Sequence, residues 1–253
     1  MTLHLIDHIA FAVLAVVFPI WDFFLLRKRA ALINAGQTEL RMKLYHEVIW
    51  QEWAIAIAVL GFWFALGRGG GAIGLVPGSG ALVWVGYGLT IVVCALILQQ
   101  AWSVFKSPKK RAALRDELSS ASFLMPHTPK ELRTFYGVSI TAGICEEIIY
   151  RGYMIAYLMA LFGMPFWVAG LVSSVAFGFA HAYQGPRGIV KTATLGGAMA
   201  LLYGLTGSLW APIVAHAVMD LAAGRLTFTL LNDTPTSQGT IQPNQGALRE
   251  TGS

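Results

Sequence analysis

The amino-acid sequence predicts an all-α protein, a polytopic transmembrane helical bundle of about seven spans. Charged residues make up 12% of the 253 residues, whereas soluble domains carry about 25%. Hydrophobic residues reach 56% and the mean hydropathy is +0.60. Because apolar runs recur along most of the chain, we predict one bundle over residues 1–231 rather than a soluble domain with a single anchor. The polar segment 232–253 is expected to be a disordered tail.

The individual spans are predicted from length, since a spanning helix needs roughly 20 mostly apolar residues. Seven stretches qualify, with six to eight spans as the accepted range: 5–26, 48–66, 81–103, 134–162, 164–183, 188–206 and 208–231. The fourth stretch would extend about 43 Å as a helix, against a hydrocarbon core of about 30 Å. Its first turns are therefore expected at the membrane interface.

The basic residues indicate how the chain is oriented. The net charge is +5, and Lys and Arg concentrate in the connections after the first and third predicted spans. The positive-inside rule makes both connections cytoplasmic, which places the N-terminus outside and the C-terminus inside. This pattern explains the charge without a nucleic-acid partner. We expect an integral protein of a bacterial plasma (inner) membrane, with membrane lipids as its surroundings.

Ionisable residues inside predicted spans are the strongest functional signal. A charge near the centre of a spanning helix costs at least about 2.5 to 3.5 kcal/mol, so it needs a partner or a purpose. The second half of the chain holds a cluster of them: Glu146, Glu147 and Arg151 on the fourth span, His181 at the end of the fifth, and His216 and Asp220 on the last. In the first half, Asp7, His8 and Asp22 lie near predicted water interfaces, where charge is cheaper.

The spacing of these residues assigns them to helix faces. Side chains four residues apart share one face, and three pairs have that spacing: Glu147 and Arg151, Phe177 and His181, His216 and Asp220. Glu146 is turned about 100° from Glu147 on an α-helix, so we expect Arg151 to neutralise Glu147 while Glu146 points elsewhere. Polar contacts between helices are the structural alternative. Acids, imidazoles and a guanidinium on three helices favour water activation or metal binding.

Three motifs carry a family resemblance. Glu-Glu-x-x-x-Arg, Phe-x-x-x-His and His-x-x-x-Asp follow one another in this order on separate apolar stretches. The set resembles the CAAX prenyl endopeptidase and bacteriocin-processing (CPBP, Abi) family of intramembrane proteases, over roughly residues 134–225. The resemblance implies an endopeptidase acting on a membrane-associated peptide or protein, which for the prenyl-processing members is prenylated. It implies nothing about the first three spans.

The resemblance also implies roles for the motif residues. Glu146 and His181 would activate a water, while His216 and Asp220 would hold the developing oxyanion. The remaining motif residues would support them: Glu147, Arg151 and Phe177. Asp220 departs from the pattern, because the prenyl-processing members more often carry Asn there. An ionised Asp cannot donate a hydrogen bond to an oxyanion, so Asp220 would have to be protonated, orient His216 or bind a metal.

Metal use is left open by the sequence. Glu146, His181 and His216 could give Zn²⁺ three ligands and an open fourth position. The same residues could run a metal-free glutamate mechanism, and the sequence contains no His-Glu-x-x-His.

Two other classes of function compete with an enzyme. A non-catalytic scaffold or bacteriocin-immunity-type protein could retain the fold, but the presence of every motif residue favours catalysis. A transporter is disfavoured because the ionisable residues lie in one half of the chain, without a matching set in the other. The substrate and the oligomeric state are not indicated by the sequence.

Overall fold

A computed structural model of the protein describes residues 1–117 and 122–233, and every regular element in these two ranges is helical. The predicted all-α fold class is thereby confirmed. The last helix ends at Asn232. The predicted tail, 232–253, lies beyond the described ranges from residue 234 onward.

Eight helices follow one another in the described part of the chain: α1 (Leu5–Asn34), α2 (Glu39–Ala65), α3 (Ala81–Lys106), α4 (Pro108–Glu117), α5 (129–162), α6 (Phe166–Ala180), α7 (Gly185–Thr206) and α8 (Trp210–Asn232). Five of them are long and apolar enough to cross a membrane: α1, α2, α3, α7 with the turn before it, and α8. Helix α6 is apolar but extends only about 22 Å. Helix α5 holds the acidic pair.

The first two helices are longer than the sequence predicted. Helix α1 continues to Asn34 instead of ending near 26, and α2 begins at Glu39 instead of 48. Basic residues assigned to the connection are therefore helical, among them Arg41 and Lys43. The prediction was wrong because Lys, Arg and Glu are good helix formers. A helix can continue past the point where its apolar run ends.

Helix α5 begins at a well-defined cap. The Thr128 side chain accepts a hydrogen bond from the Glu131 backbone N–H, and the Glu131 carboxylate accepts one from the Thr128 N–H. Pro129 occupies the first helical position, where no N–H is needed. Glu131 also accepts a hydrogen bond from Arg41 Nη1 at 2.9 Å. This buried ion pair fixes the start of α5 against α2.

A second ion pair closes the opposite end of the bundle. Arg68, between α2 and α3, donates to both carboxylate oxygens of Asp7 at 2.7 Å. The hydrogen bond to Asp7 raises the pKa of Arg68. The Tyr153 hydroxyl donates to the Asp7 carbonyl at 2.8 Å. Asp7 is fully buried and ties the start of α1 to α5, so its role is structural.

Close contact between α5 and α8 positions the site. A Cβ atom at Gly143 would lie 3.0 Å from the backbone nitrogen of Ala217, so glycine lets the two backbones approach closely without displacing Ala217. Gly143 lies one turn before Glu146 and Glu147, while Ala217 follows His216. The contact therefore brings the acidic pair of α5 next to the imidazole of α8.

Candidate active site

The acidic pair lies where α5 changes its winding. The regular α-helix ends at Glu146, and residues Glu147–Met154 form a wider π-helical segment before the α-helix resumes at Ile155. The sequence predicted α-helical geometry throughout, and the structure differs here. π-Helical turns are frequent at functional sites because they change the direction of neighbouring side chains.

The structure brings the predicted site residues of α5, α6 and α8 together. Glu146 faces two imidazoles: its Oε1 is 3.8 Å from Nε2 of His181, and its Oε2 is 3.6 Å from Nε2 of His216. These separations exceed a direct hydrogen bond. Catalytic contacts are often long without substrate and tighten in the complex. Each carboxylate oxygen of Glu146 is thus associated with a different imidazole.

Both imidazoles are held through their other ring nitrogen. Nδ1 of His181 lies 3.0 Å from the Phe177 carbonyl, which only accepts hydrogen bonds, so Nδ1 carries the hydrogen. Nδ1 of His216 lies 2.8 Å from Oε1 of Glu147. Because Glu147 also accepts from Arg151, it serves as the acceptor here as well. Both rings therefore present Nε2 toward Glu146.

The predicted ion pair between Glu147 and Arg151 is present and completely buried. Arg151 Nη1 donates to Glu147 Oε1 at 3.1 Å, and both side chains are 0% exposed. The guanidinium lies 4.4 Å from the centre of the Phe177 ring. It also fits against Gly196, where a Cβ would approach Arg151 Nη2 to 2.9 Å. Arg151 therefore fixes Glu147, and Glu147 in turn fixes His216.

Phe177 packs against both imidazoles and against Arg151. Its ring centre lies 4.7 Å from that of His181 and 6.1 Å from that of His216. The ring thus contacts the groups of α6 and α8 while covering Arg151. This position gives the supporting role implied by the resemblance a physical basis.

Asp220 lies on the same side of His216 as Glu146. Its Oδ2 is 3.6 Å from Nε2 of His216, whereas Nδ1 of that ring is bound by Glu147. The three roles considered for Asp220 from the sequence stay predictions, while Nδ1 of His216 is held by Glu147. The hydrogen bond between Glu147 and His216 was not predicted.

An acid from the first half of the chain, which was not predicted as a site residue, interacts with the site. Glu52 of α2 interacts electrostatically with Glu146, His216 and Asp220. Its Oε2 is buried without a hydrogen-bond partner in the part of the chain that the structure describes. Glu52 lies 13 residues after the start of α2, about 20 Å along the helix. The sequence placed it at the edge of the span because the helix start was predicted too late.

Asp22 of α1 is a second neighbour from the first half. Its carboxyl group interacts with the Gln51 side chain and, electrostatically, with His181. The sequence predicted Asp22 to be an interface residue and did not predict its interaction with His181. A signal was available, because Asp22 and Glu52 are both acids inside helices that are otherwise mostly apolar.

A metal remains a prediction for this site. In residues 1–117 and 122–233, no group of three His, Cys, Asp or Glu side chains has the arrangement of a metal site. The donor chemistry nevertheless fits, because Glu146, His181 and His216 offer the oxygen and nitrogen atoms that zinc takes. Both imidazoles also donate Nδ1–H to an acceptor, as metal-bound histidines usually do.

Comparisons with known proteins agree with the motifs. Residues 128–222 match the family model described as type II CAAX prenyl endopeptidase Rce1-like. The chain is also 38% identical over 82 residues to the Bacillus subtilis (strain 168) protein named "Putative membrane peptidase YdiL". That alignment covers 32% of this chain and 32% of the relative. No solved structure matches the chain. Residues 128–222, which include every site residue predicted from the sequence, are therefore similar to the Rce1-like type II CAAX prenyl endopeptidases.

Proposed function

We propose that the protein is an intramembrane endopeptidase that hydrolyses a peptide bond with a water activated by Glu146 and His181. The arrangement of Glu146 carries this proposal, since each of its carboxylate oxygens faces Nε2 of an oriented imidazole. The match of residues 128–222 to the Rce1-like family model supports a peptidase. A scaffold that retains the fold would not need both imidazoles to be oriented with Nε2 toward Glu146.

In the first step of the proposed reaction, Glu146 is the general base. Glu146 accepts a proton from water while the oxygen attacks the substrate carbonyl, and Nε2 of His181 orients the water as a hydrogen-bond acceptor. General-base catalysis of this kind contributes about 10²- to 10⁴-fold in rate. When the C–N bond breaks, the proton held by Glu146 moves to the leaving amine. The step needs no further proton donor.

The oxyanion that forms in this reaction is stabilised by a hydrogen bond from His216. Nδ1 of His216 is already bound to Glu147, so this ring can donate to the oxyanion only from Nε2, in its protonated form. The Glu147 carboxylate stabilises such an imidazolium, as a buried acid does for the histidine of other hydrolases. Asp220 lies beside the same Nε2. A protonated Asp220 would provide a second donor.

A zinc ion would be held by Glu146, His181 and His216. It would supply an activated water and polarise the substrate carbonyl. The orientation of both rings through Nδ1, by the Phe177 carbonyl and by Glu147, serves either mechanism. We therefore assign these two contacts a positioning role in both cases.

The substrate we propose is a membrane-associated peptide or protein, prenylated or not. The proposal is tested by comparing the peptides in membranes of cells that carry the wild type, Glu146→Ala or the exposed-site control Glu39→Ala. We expect peptides that appear with the wild type and Glu39→Ala and are missing with Glu146→Ala. Identical peptides in all three would favour the scaffold function.

We further propose that the N-terminus lies outside and the C-terminus in the cytoplasm of the plasma membrane. Single cysteines would replace Ala35, Val76 and Lys109 in a variant lacking Cys94 and Cys145. A membrane-impermeant maleimide should label the Val76→Cys protein alone in intact cells, because the basic connections stay inside. Labelling at positions 76 and 109 alike would contradict this orientation.

Glu52 is expected to influence catalysis through Glu146. Glu52→Gln keeps the size of the side chain but removes a carboxylate that interacts with Glu146 and His216. We expect kcat to fall by about tenfold or more, equivalent to roughly 1.4 kcal/mol of transition-state stabilisation, with KM little changed. The physical reason is that the amide does not reproduce the interactions of the Glu52 side chain with Glu146 and His216.

The matched control for Glu52 is Glu47→Gln, on the same helix. Glu47 pairs with Arg29 at the protein surface, and its loss should leave kcat unchanged. Steady-state kinetics of both variants, with melting recorded in parallel, separate a catalytic effect from misfolding. An unchanged kcat in Glu52→Gln would remove Glu52 from the site.

A further inference from the structure

An elongated cavity lies beside the candidate site, between α3, α5 and α8. Its volume is about 700 Å³, within the range of roughly 300 to 1,000 Å³ found for ligand pockets. It is lined along residues 98–105 of α3 and 218–225 of α8, with Tyr136 of α5 between them. Each of these stretches rises about 10 Å. The cavity therefore runs parallel to the spans.

The lining residues on α3 and on α8 are spaced in the same way along their helices. On α8, the lining residues are Val218, Leu221, Ala222 and Arg225; on α3 they include Leu98, Ala101, Trp102 and Phe105. Both sets follow the i, i+3, i+4, i+7 pattern of a single helix face. The face on α8 differs from the one that carries His216 and Asp220. The cavity is thus separate from the residues assigned to catalysis.

The cavity combines an apolar lining with a positive charge at one end. Arg225 is exposed, and in the part of the chain that the structure describes it forms no ion pair with an acid; its ring contact is with Phe228 at 6.0 Å. Lys106 lies 4.7 Å from the ring centre of Trp102, a lining residue. An occupant should therefore carry a long apolar part and a negatively charged head.

We propose that this cavity binds one acyl chain of an anionic phospholipid, with the lipid phosphate at Arg225 and Lys106. Leu98 and Trp102 are 55% and 60% exposed, so the cavity opens toward the membrane. Tryptophan is typical of the level of the lipid headgroups, and basic residues there attract anionic lipids.

The lining favours a lipid chain over a peptide. A peptide in this cavity would need partners for its backbone N–H and C=O groups, and most lining residues are apolar. A hydrocarbon chain has no such requirement. The repeated apolar face along both helices also suits a chain that lies parallel to the membrane normal.

The test measures lipid retention on the purified full-length protein by native mass spectrometry. Phosphatidylglycerol and phosphatidylcholine with identical acyl chains would be added separately. We expect one phosphatidylglycerol to be retained at least about tenfold more tightly than phosphatidylcholine, because Arg225 and Lys106 attract the negatively charged headgroup. Equal retention of the two lipids by the wild type would overturn the proposal.

Three variants test whether the lipid binds in this cavity. Arg225→Gln should abolish the preference for phosphatidylglycerol, and Leu221→Trp, which fills the cavity, should reduce retention of both lipids. Arg187→Gln changes an exposed arginine away from the cavity and should behave as the wild type. Unchanged retention in Arg225→Gln, whose exposed side chain can be replaced without disturbing the fold, or in folded Leu221→Trp would contradict the assignment.

Discussion

Glu146→Ala, His181→Ala and the double variant are expected to cleave peptide at the same low residual rate. Each single substitution should lower kcat by about 10²- to 10⁴-fold. The second substitution should add little, because residues that act as one unit lose most of the activity at the first change. The structural reason is that Glu146 Oε1 and His181 Nε2 face each other across 3.8 Å. Folding should survive, since alanine requires no partner.

The non-additivity is measured with purified protein in lipid vesicles, with melting recorded for each variant. Glu39→Ala is the control for an exposed acid and should keep the wild-type rate. Losses that multiply in the double variant would show that Glu146 and His181 act in separate steps. A chelator arm, combined with elemental analysis for zinc, distinguishes the metal mechanism from the glutamate mechanism.

Arg151→Ala is expected to have the largest effect on stability. Removing one partner of a buried ion pair costs about 3 to 5 kcal/mol, because it leaves an uncompensated buried charge. Glu147 would be that charge, and both members of the pair are completely buried. We expect a lower yield of folded protein and a lower melting temperature in detergent. The exposed-site control Arg187→Ala should melt as the wild type does.

A double variant separates the structural role of the pair from its role in the site. Glu147→Gln combined with Arg151→Met removes both charges and should regain part of the stability lost in Arg151→Ala. Activity should stay low, because Glu147 also holds His216 through Nδ1. Normal melting with lost activity in Arg151→Ala would instead place Arg151 in the chemistry.

The residues that converge on Glu146 could be predicted in part because charge is costly in a membrane. Glu146, His181 and His216 stand out in apolar stretches, and their order matches a family motif. The hydrogen bond from His216 to Glu147 could not be predicted in the same way. It joins residues 69 positions apart and depends on the close approach of α5 to α8 at Gly143. Sequence spacing determines contacts within one helix but not between two helices.

Helix ends were the weakest part of the prediction, and one end had a functional consequence. The apolar run of α2 starts well after the helix itself, which begins at Glu39. Counting from the apolar run places Glu52 at the membrane edge, whereas counting from the helix start places it deep in the bundle. The π-helical segment after Glu146 was also missed, because hydrophobic periodicity does not reveal a local change of winding.

The most direct test of the account is peptide cleavage by the purified wild type and by Glu146→Gln in lipid vesicles. Glutamine keeps the size and hydrogen-bonding capacity of the side chain but cannot take a proton from water. The substrate would be a peptide that distinguishes wild-type membranes from Glu146→Ala membranes. We predict cleavage at one site by the wild type and a rate lower by about 10²-fold or more for folded Glu146→Gln. Cleavage at the wild-type rate by folded Glu146→Gln would contradict the assignment of Glu146 as the base.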